Sequence, residues 1–523
     1  MTIRNAIFNS LMALALVAVP VQFLIEPSIE NVACACLVLA SALAVLLYLR
    51  GTSALERHPL SSFAILGFCL TSQLGALLVQ TIALTPLTHA LYDPLYTFGT
   101  LAFYQFIAVA AHAAYRFFSV GKSTDAGFAR RILHWAGVYK TPSCATLWYM
   151  GCISLPALIL FGREGVLARI TTGFHFLVWA PFLIPFYSRE LGESYCNARL
   201  NNLLLAAYLA FIGLIGLATN ARGIMLIGVA TIALIYLLAG MRSREPVRGR
   251  AVIQLGVMAA VLLAISGPMS DLATSMAIAR YVRGKVPAAV MMRTTLHIWG
   301  QPGLIAAYRA DQEARSRFSS YDEYYIANPM LARLIETKFY DNSFHFAKTL
   351  TDDKANASLR DISIKFALAG LPTPMLGALG IPINKDDLNY SMGDYLAYLS
   401  RGVPLGGRKT GNMFAQGIAL FGPLFPFLFA AMCLALFSLM DLLSIRSAGK
   451  AVSISTLGML QIFSFFMGGL SFESLHKVLH FFIRVFPQTI FIYALVFAIA
   501  RLPQRKAQVP FEVPKVPAWQ RPL

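Results

Sequence analysis

Apolar runs separated by short polar loops recur along this chain, near residues 6–24, 31–49, 62–84, 97–118, 143–162, 168–187, 200–218, 222–240, 250–267, 413–438, 452–470 and 479–500. Each approaches the roughly 20 residues a helix needs to cross a bilayer, so about twelve transmembrane helices are expected. The rhythm breaks once, from about Gly267 to Asn412, where helical periodicity at 270–283, 288–299, 301–317, 329–340 and 355–369 is cut by prolines and glycines. This polar segment still carries Phe344, Phe346, Leu371, Met375 and Leu376, which want burial, so it is expected to fold as a small helical cap. The fold class that follows is an all-α polytopic membrane protein. Its parts are a bundle of about nine helices over 1–267, the cap over 268–412, three helices over 413–500 and a tail over 501–523. The tail is basic and proline-rich, a composition that predicts disorder. Residues 126–135 read as a basic amphipathic stretch lying on the membrane surface.

Composition supports the membrane class. Of 523 residues, 57% are hydrophobic and 13% charged, about half the charged share of an ordinary soluble domain. A formal charge of +18 would suit nucleic acid, but cytoplasmic loops beside anionic lipid carry the same excess, and no nucleic-acid partner is expected. Lys and Arg fall on alternate loops: Arg50 and Arg57, then Lys122 to Lys140, Arg189 and Arg199, Arg242 to Arg250, Arg446 and Lys450, and Arg501 to Lys506. Loops near 25–30 and 85–96 carry none. The basic side is therefore assigned to the cytoplasm, with both termini inside and the long segment outside. That pattern suits a bacterial inner membrane with a periplasmic loop. The first apolar run is read as an uncleaved helix, because its apolar stretch is long and many others follow. All seven cysteines lie in or beside apolar runs, with no CxxC or Cys/His ligand spacing, so neither a disulfide framework nor a zinc site is expected. No internal repeat of the transporter kind is visible.

Three polar groups are candidates for chemistry. Thr219-Asn220-Ala221-Arg222-Gly223 makes a short outer turn, where Arg222 would grip a diphosphate with bidentate donors or simply anchor a lipid phosphate. The glycine-rich stretch Arg401 to Asn412 lets backbone approach a phosphate while Arg408 and Lys409 neutralise it; the plainer reading is a flexible linker. Glu473, Lys477, His480 and Arg484, spaced four, three and four, share one face of a helix entering the membrane, facing a site or forming a structural pair. Further cations, Arg280, Arg283, Lys285 and Arg293, fall on or near the first helices of the long segment. With Tyr308 and the candidate bases His297, His345 and Asp394, they supply anion binding and proton transfer. Tyr390, Tyr395 and Tyr398 would stack on sugar rings or sit in an interfacial belt.

The Asn-Ala-Arg-Gly turn at 220–223, the late outer segment, Pro382 to Tyr395, Gly406-Gly407-Arg408-Lys409-Thr410-Gly411, and the return through Gly411 to Gly422 together resemble the Wzy-type polymerases of O-antigen, capsule and exopolysaccharide repeat units. The likeness covers the whole layout but only about 60 residues in detail. It implies a GT-C-like, cofactor-free and metal-independent glycosyltransferase that passes a growing glycan from undecaprenyl diphosphate to a second lipid-linked oligosaccharide. Membrane lipid, a flippase and a chain-length regulator are the partners it implies. Arg222 and the Arg408-Lys409 loop carry over, and His345 stands where related ligases place a late histidine, without their surrounding motif. A ligase onto lipid A core uses the same grip. A lipid-linked oligosaccharide transporter would need repeat symmetry and polar residues at mid-membrane on several spans, and neither is visible.

Overall fold

Thr2 and Ser28 set the pattern of the first two helices: each hydroxyl accepts a backbone N–H three residues on, as a polar cap does before an apolar run. The computed structural model describes residues 2–119, 127–160, 171–192, 195–247, 266–283, 285–316, 322–329, 331–350, 352–445 and 452–502. Long helices are α1 (Ile3–Ile25), α2 (Ile29–Gly51), α3 (Pro59–Ile82), α4 (Pro94–Ser119), a shorter α5 (Cys144–Ile159), α6 (Ala198–Ala218) and α7 (Arg222–Arg242). The long segment holds α8 (Ala288–Trp299), α9 (Pro302–Ser316), α10 (Thr337–Lys348), α11 (Asp353–Leu368) and α12 (Met392–Arg401). Two more close the bundle, α13 (Met413–Leu442) and α14 (Leu475–Arg501). The chain is thus an all-helical, multi-pass membrane protein, with eight described helices long and apolar enough to cross a bilayer.

Two of the remaining expected spans are built differently. Where 168–187 was expected to span, a 3₁₀ stretch at His175–Leu183 runs into a helix at Ile184–Leu191, because Pro181 and Pro185 each remove a backbone donor. In place of 452–470 there are two short helices, Thr456–Leu460 and Ile462–Gly468. The second lies so close to α3 that a Cβ on Gly67 would stand 2.0 Å from the Phe466 carbonyl oxygen. The expected span 250–267 falls almost wholly outside the described residues. Cys144 and Cys196 are joined as a disulfide, which corrects the expectation from spacing. The folded chain brings together two cysteines 52 residues apart, a pairing that no local motif announces.

The described residues of the basic loops gather at one end of the bundle. Arg4 pairs with Glu56 and donates to the carbonyls of Leu49, Arg50 and Thr52, closing the end of α2. Nearby, hydrogen bonds run in one direction through four helices. Arg116 donates to the Tyr48 hydroxyl (3.3 Å), Tyr48 to Nδ1 of His112 (2.7 Å), His112 Nε2 to Ser61 (2.9 Å) and Ser61 to Asp441 (2.7 Å). The single proton of each hydroxyl fixes this order. His58 bonds the same carboxylate at 3.1 Å, so the buried charge of Asp441 is shared among fixed partners. Of the surface stretch, Phe128–Trp135 is helical with Phe128 and Trp135 exposed, while Arg130 turns inward to the Ser444 carbonyl (3.2 Å).

The long segment occupies the other end and is not one cap. Four of its five expected helices are present; the one expected over 329–340 starts later, at Thr337. Phe344 on α10 belongs to the main hydrophobic core, whereas Phe346, Leu359, Phe366 and Leu396 form a second cluster and Ala279, Met291 and Ile298 a third. Asp341 locks α10 to the bundle by accepting from the backbone of Tyr92 (2.8 Å) and Asp93 (3.0 Å), from Thr97 (3.2 Å) and from Lys338 (3.2 Å).

Candidate functional site

The site begins inside α3. At Leu70–Leu74 this helix widens into a π turn, which offsets carbonyls from their usual partners. Two of them reach the segment before α10: the Thr71 carbonyl accepts the Glu336 N–H at 2.8 Å, and the Ser72 carbonyl accepts the Thr337 hydroxyl at 2.8 Å. Glu336 is thereby held in the wall of an open cleft of about 120 Å³. Tyr340, Asn412, Ser471 and Glu473 also line it. The Glu336 carboxylate accepts from Tyr340 at 3.4 Å. Burial pushes its pKa up to about 7, against the hydrogen bonds from Ser471 and Tyr340. Asn412 caps α13 through its carbonyl oxygen, while its buried Nδ2 has no hydrogen-bond partner.

A second feature is a set of arginines linked by their mutual electrostatic effects. Arg222 lies within electrostatic reach of Arg333, Arg280, Tyr308 and Glu323. Arg283 is pulled below its ordinary value by burial and then by the charges of Arg280 and Arg408. Among the described residues, none of these five arginines enters a salt bridge. Asn220, with φ +52°, makes the sharp turn that starts α7 at Arg222, and its Nδ2 donates to the Met276 carbonyl at 2.8 Å, tying that turn to the helix leading to Arg280. Like charges collected without a salt-bridge partner among the described residues, although Glu323 acts on Arg222, leave donors for a dianion. Two short stretches serve both features: Arg333 lies three residues before Glu336, and Arg408 two residues before Thr410, which also lines the cleft.

The sequence candidates divide accordingly. Arg222, Arg280, Arg283 and Arg408 come together. Arg484 falls in a different group, near Lys385 and His480. Lys477 pairs with Glu473 at 2.8 Å, and His480 faces the Phe366 carbonyl at 3.0 Å, so the expected stripe supports the end of α11. Arg293 and His297 are exposed on α8, with His297 beside Gln301 at 3.0 Å.

Lys409 turns inward, 3.3 Å from Asp394, which removes it from the set of phosphate donors. Asp394 forms a capping box with Ser391 and accepts the backbone N–H groups of Arg408 (3.0 Å) and Lys409 (3.3 Å). Burial alone would raise its pKa, but the Lys409 backbone, Ser391 and the Lys409 ammonium hold it below the ordinary value. Such a carboxylate pins the loop and makes a poor base. His345 stacks on Tyr92 with centroids 4.4 Å apart, and its Nε2 accepts from Arg401. Burial and then the Arg401 charge lower its pKa, and its acceptor nitrogen is already used. Tyr395 is buried against Phe366, whereas Tyr390 and Tyr398 remain exposed.

Sequence reasoning missed Glu336 and Arg333. The available signal was weak: Glu336 is the sole acid between Glu323 and Asp341. Among the described residues no group of three His, Cys, Asp or Glu side chains is placed to hold a metal ion. Comparisons with protein-family models, curated proteins and solved structures found no match to this chain.

Proposed function

We propose that this protein is a polysaccharide polymerase with a GT-C-like arrangement in a bacterial inner membrane, its termini cytoplasmic and its long segment periplasmic. It takes a glycan carried on undecaprenyl diphosphate and transfers it to a second lipid-linked repeat unit. The observation that carries this reading is the group Arg222, Arg280, Arg283, Arg333 and Arg408, none of them in a salt bridge among the described residues, at the end of the bundle opposite the described basic loops. Outside the cytoplasm an activated sugar arrives on a lipid, and its departure leaves charge on a diphosphate. Fixed guanidiniums stabilise that charge without reorganising. They also keep their own charge when partly buried.

The test is the glycan profile of the native host. Deleting the gene should leave single repeat units where the parent strain shows long chains, and Arg222→Ala or Arg408→Ala should reproduce that loss with normal membrane insertion. Long chains in the deletion strain would refute the reading. Long chains retained on the carrier lipid, and missing from lipid A, would identify a ligase instead.

A further inference from the structure

We infer that the cleft between Glu336 and Asn412 is the acceptor site, and that the Glu336 carboxylate takes the proton of the attacking sugar hydroxyl. The inference rests on the polymerase reading and names the base that the sequence left open. The supporting observations are geometric. A π turn in α3 fixes the backbone of Glu336, and Tyr340 positions the carboxylate. Across the cleft Asn412, only 2% exposed, holds an unpartnered amide donor. A buried donor with no partner is costly unless something occupies the space. A carbohydrate hydroxyl both donates and accepts, so one entering the cleft would donate to Glu336 and could accept from Asn412. The same two stretches of chain carry Arg333 and Arg408, so the acceptor would lie next to the leaving group.

In the step itself, the hydroxyl oxygen bonds to the anomeric carbon as the bond from that carbon to the diphosphate oxygen breaks. The bonding pair leaves with the lipid diphosphate among the arginines. The hydroxyl proton passes to Glu336 and then to solvent. The titratable groups facing Glu336 are Tyr340 on its own helix and Glu473 across the cleft, the latter held by Lys477. Glu336 ionises near 7, so the rate should rise with pH through that region.

The experiment uses membrane vesicles of the native host, with its own lipid-linked repeat units as substrate, and follows polymer formation from pH 5.5 to 8.5. Glu336→Gln should slow polymerisation by about 10² or more, the range of general-base catalysis, and flatten the profile. A rate within tenfold of the parent would overturn the proposal. If Glu336→Gln fails to accumulate, the parent's profile decides, and a rate independent of pH would overturn it. Vesicles from the parent that make no polymer would refute the polymerase reading itself, a result distinct from an active Glu336→Gln.

Discussion

Asp394→Leu tests the structural role assigned to this carboxylate. In the native fold Asp394 accepts from the backbone of Ser391 (3.4 Å), Arg408 (3.0 Å) and Lys409 (3.3 Å), and from the Lys409 ammonium (3.3 Å). Removing it strands a lysine that is 6% exposed, and breaking a buried pair from one side costs about 3–5 kcal/mol. If the loop opens locally, that cost corresponds to roughly 10² to 10⁴ times faster amide exchange. Hydrogen exchange followed by mass spectrometry on residues 405–411 reads this directly. The paired variant Asp394→Leu with Lys409→Met should recover most of the protection, since replacing both charges with apolar groups is often nearly neutral. Because the folded pKa of Asp394 is depressed, its contribution is complete above the ordinary carboxylate value and is lost as pH falls through the folded value. Less than a tenfold change in exchange for the single variant would refute the reasoning.

Further predictions concern other parts of the fold. Glu336→Gln should stabilise the protein at pH 8 by up to about 3 kcal/mol and leave it unchanged near pH 4, as measured by denaturant melts at both values. The sign follows from a folded pKa raised from 4.5 to about 7: the native state loses stability as pH climbs through that window, and glutamine escapes the loss. Gly393→Ala should lower the melting temperature sharply, because its Cβ would lie 2.4 Å from the Lys409 carbonyl oxygen, whereas Gly377→Ala meets nothing within 4 Å and should not. Thiol labelling should find Cys144 and Cys196 joined in the purified protein and, with their loops facing the reducing cytoplasm as proposed, reduced in growing cells. They border the loops assigned to the reducing cytoplasm, and their Cα atoms are 6.1 Å apart. Complete oxidation in untreated cells would overturn that orientation.

The long helices were legible because lipid imposes a length and an apolar composition that need no neighbour. Runs such as 97–118 and 222–240 reappear as Pro94–Ser119 and Arg222–Arg242. Breaks were less visible: 168–187 is apolar enough to pass, and only Pro181 and Pro185 hinted at its 3₁₀ start. Within the site, Arg222 was found because an arginine opening a span is locally conspicuous. Glu336 was not, because its position depends on carbonyls from α3, more than 260 residues earlier in the chain. Asp394 misled for the opposite reason: an acid among glycines and cations looks available, and only the folded loop shows its lone pairs already taken.

The widened turn at Leu70–Leu74 divides α3 into two segments that keep separate phase. On the half before the turn Ser61 meets Asp441; on the half after it Gln80 meets the Tyr325 carbonyl at 2.9 Å. Deleting one residue there would rotate one half against the other by about 100°. The anchoring of the two membrane faces is thus geared through a single inserted residue, and a shortened α3 could satisfy one face only by abandoning the other.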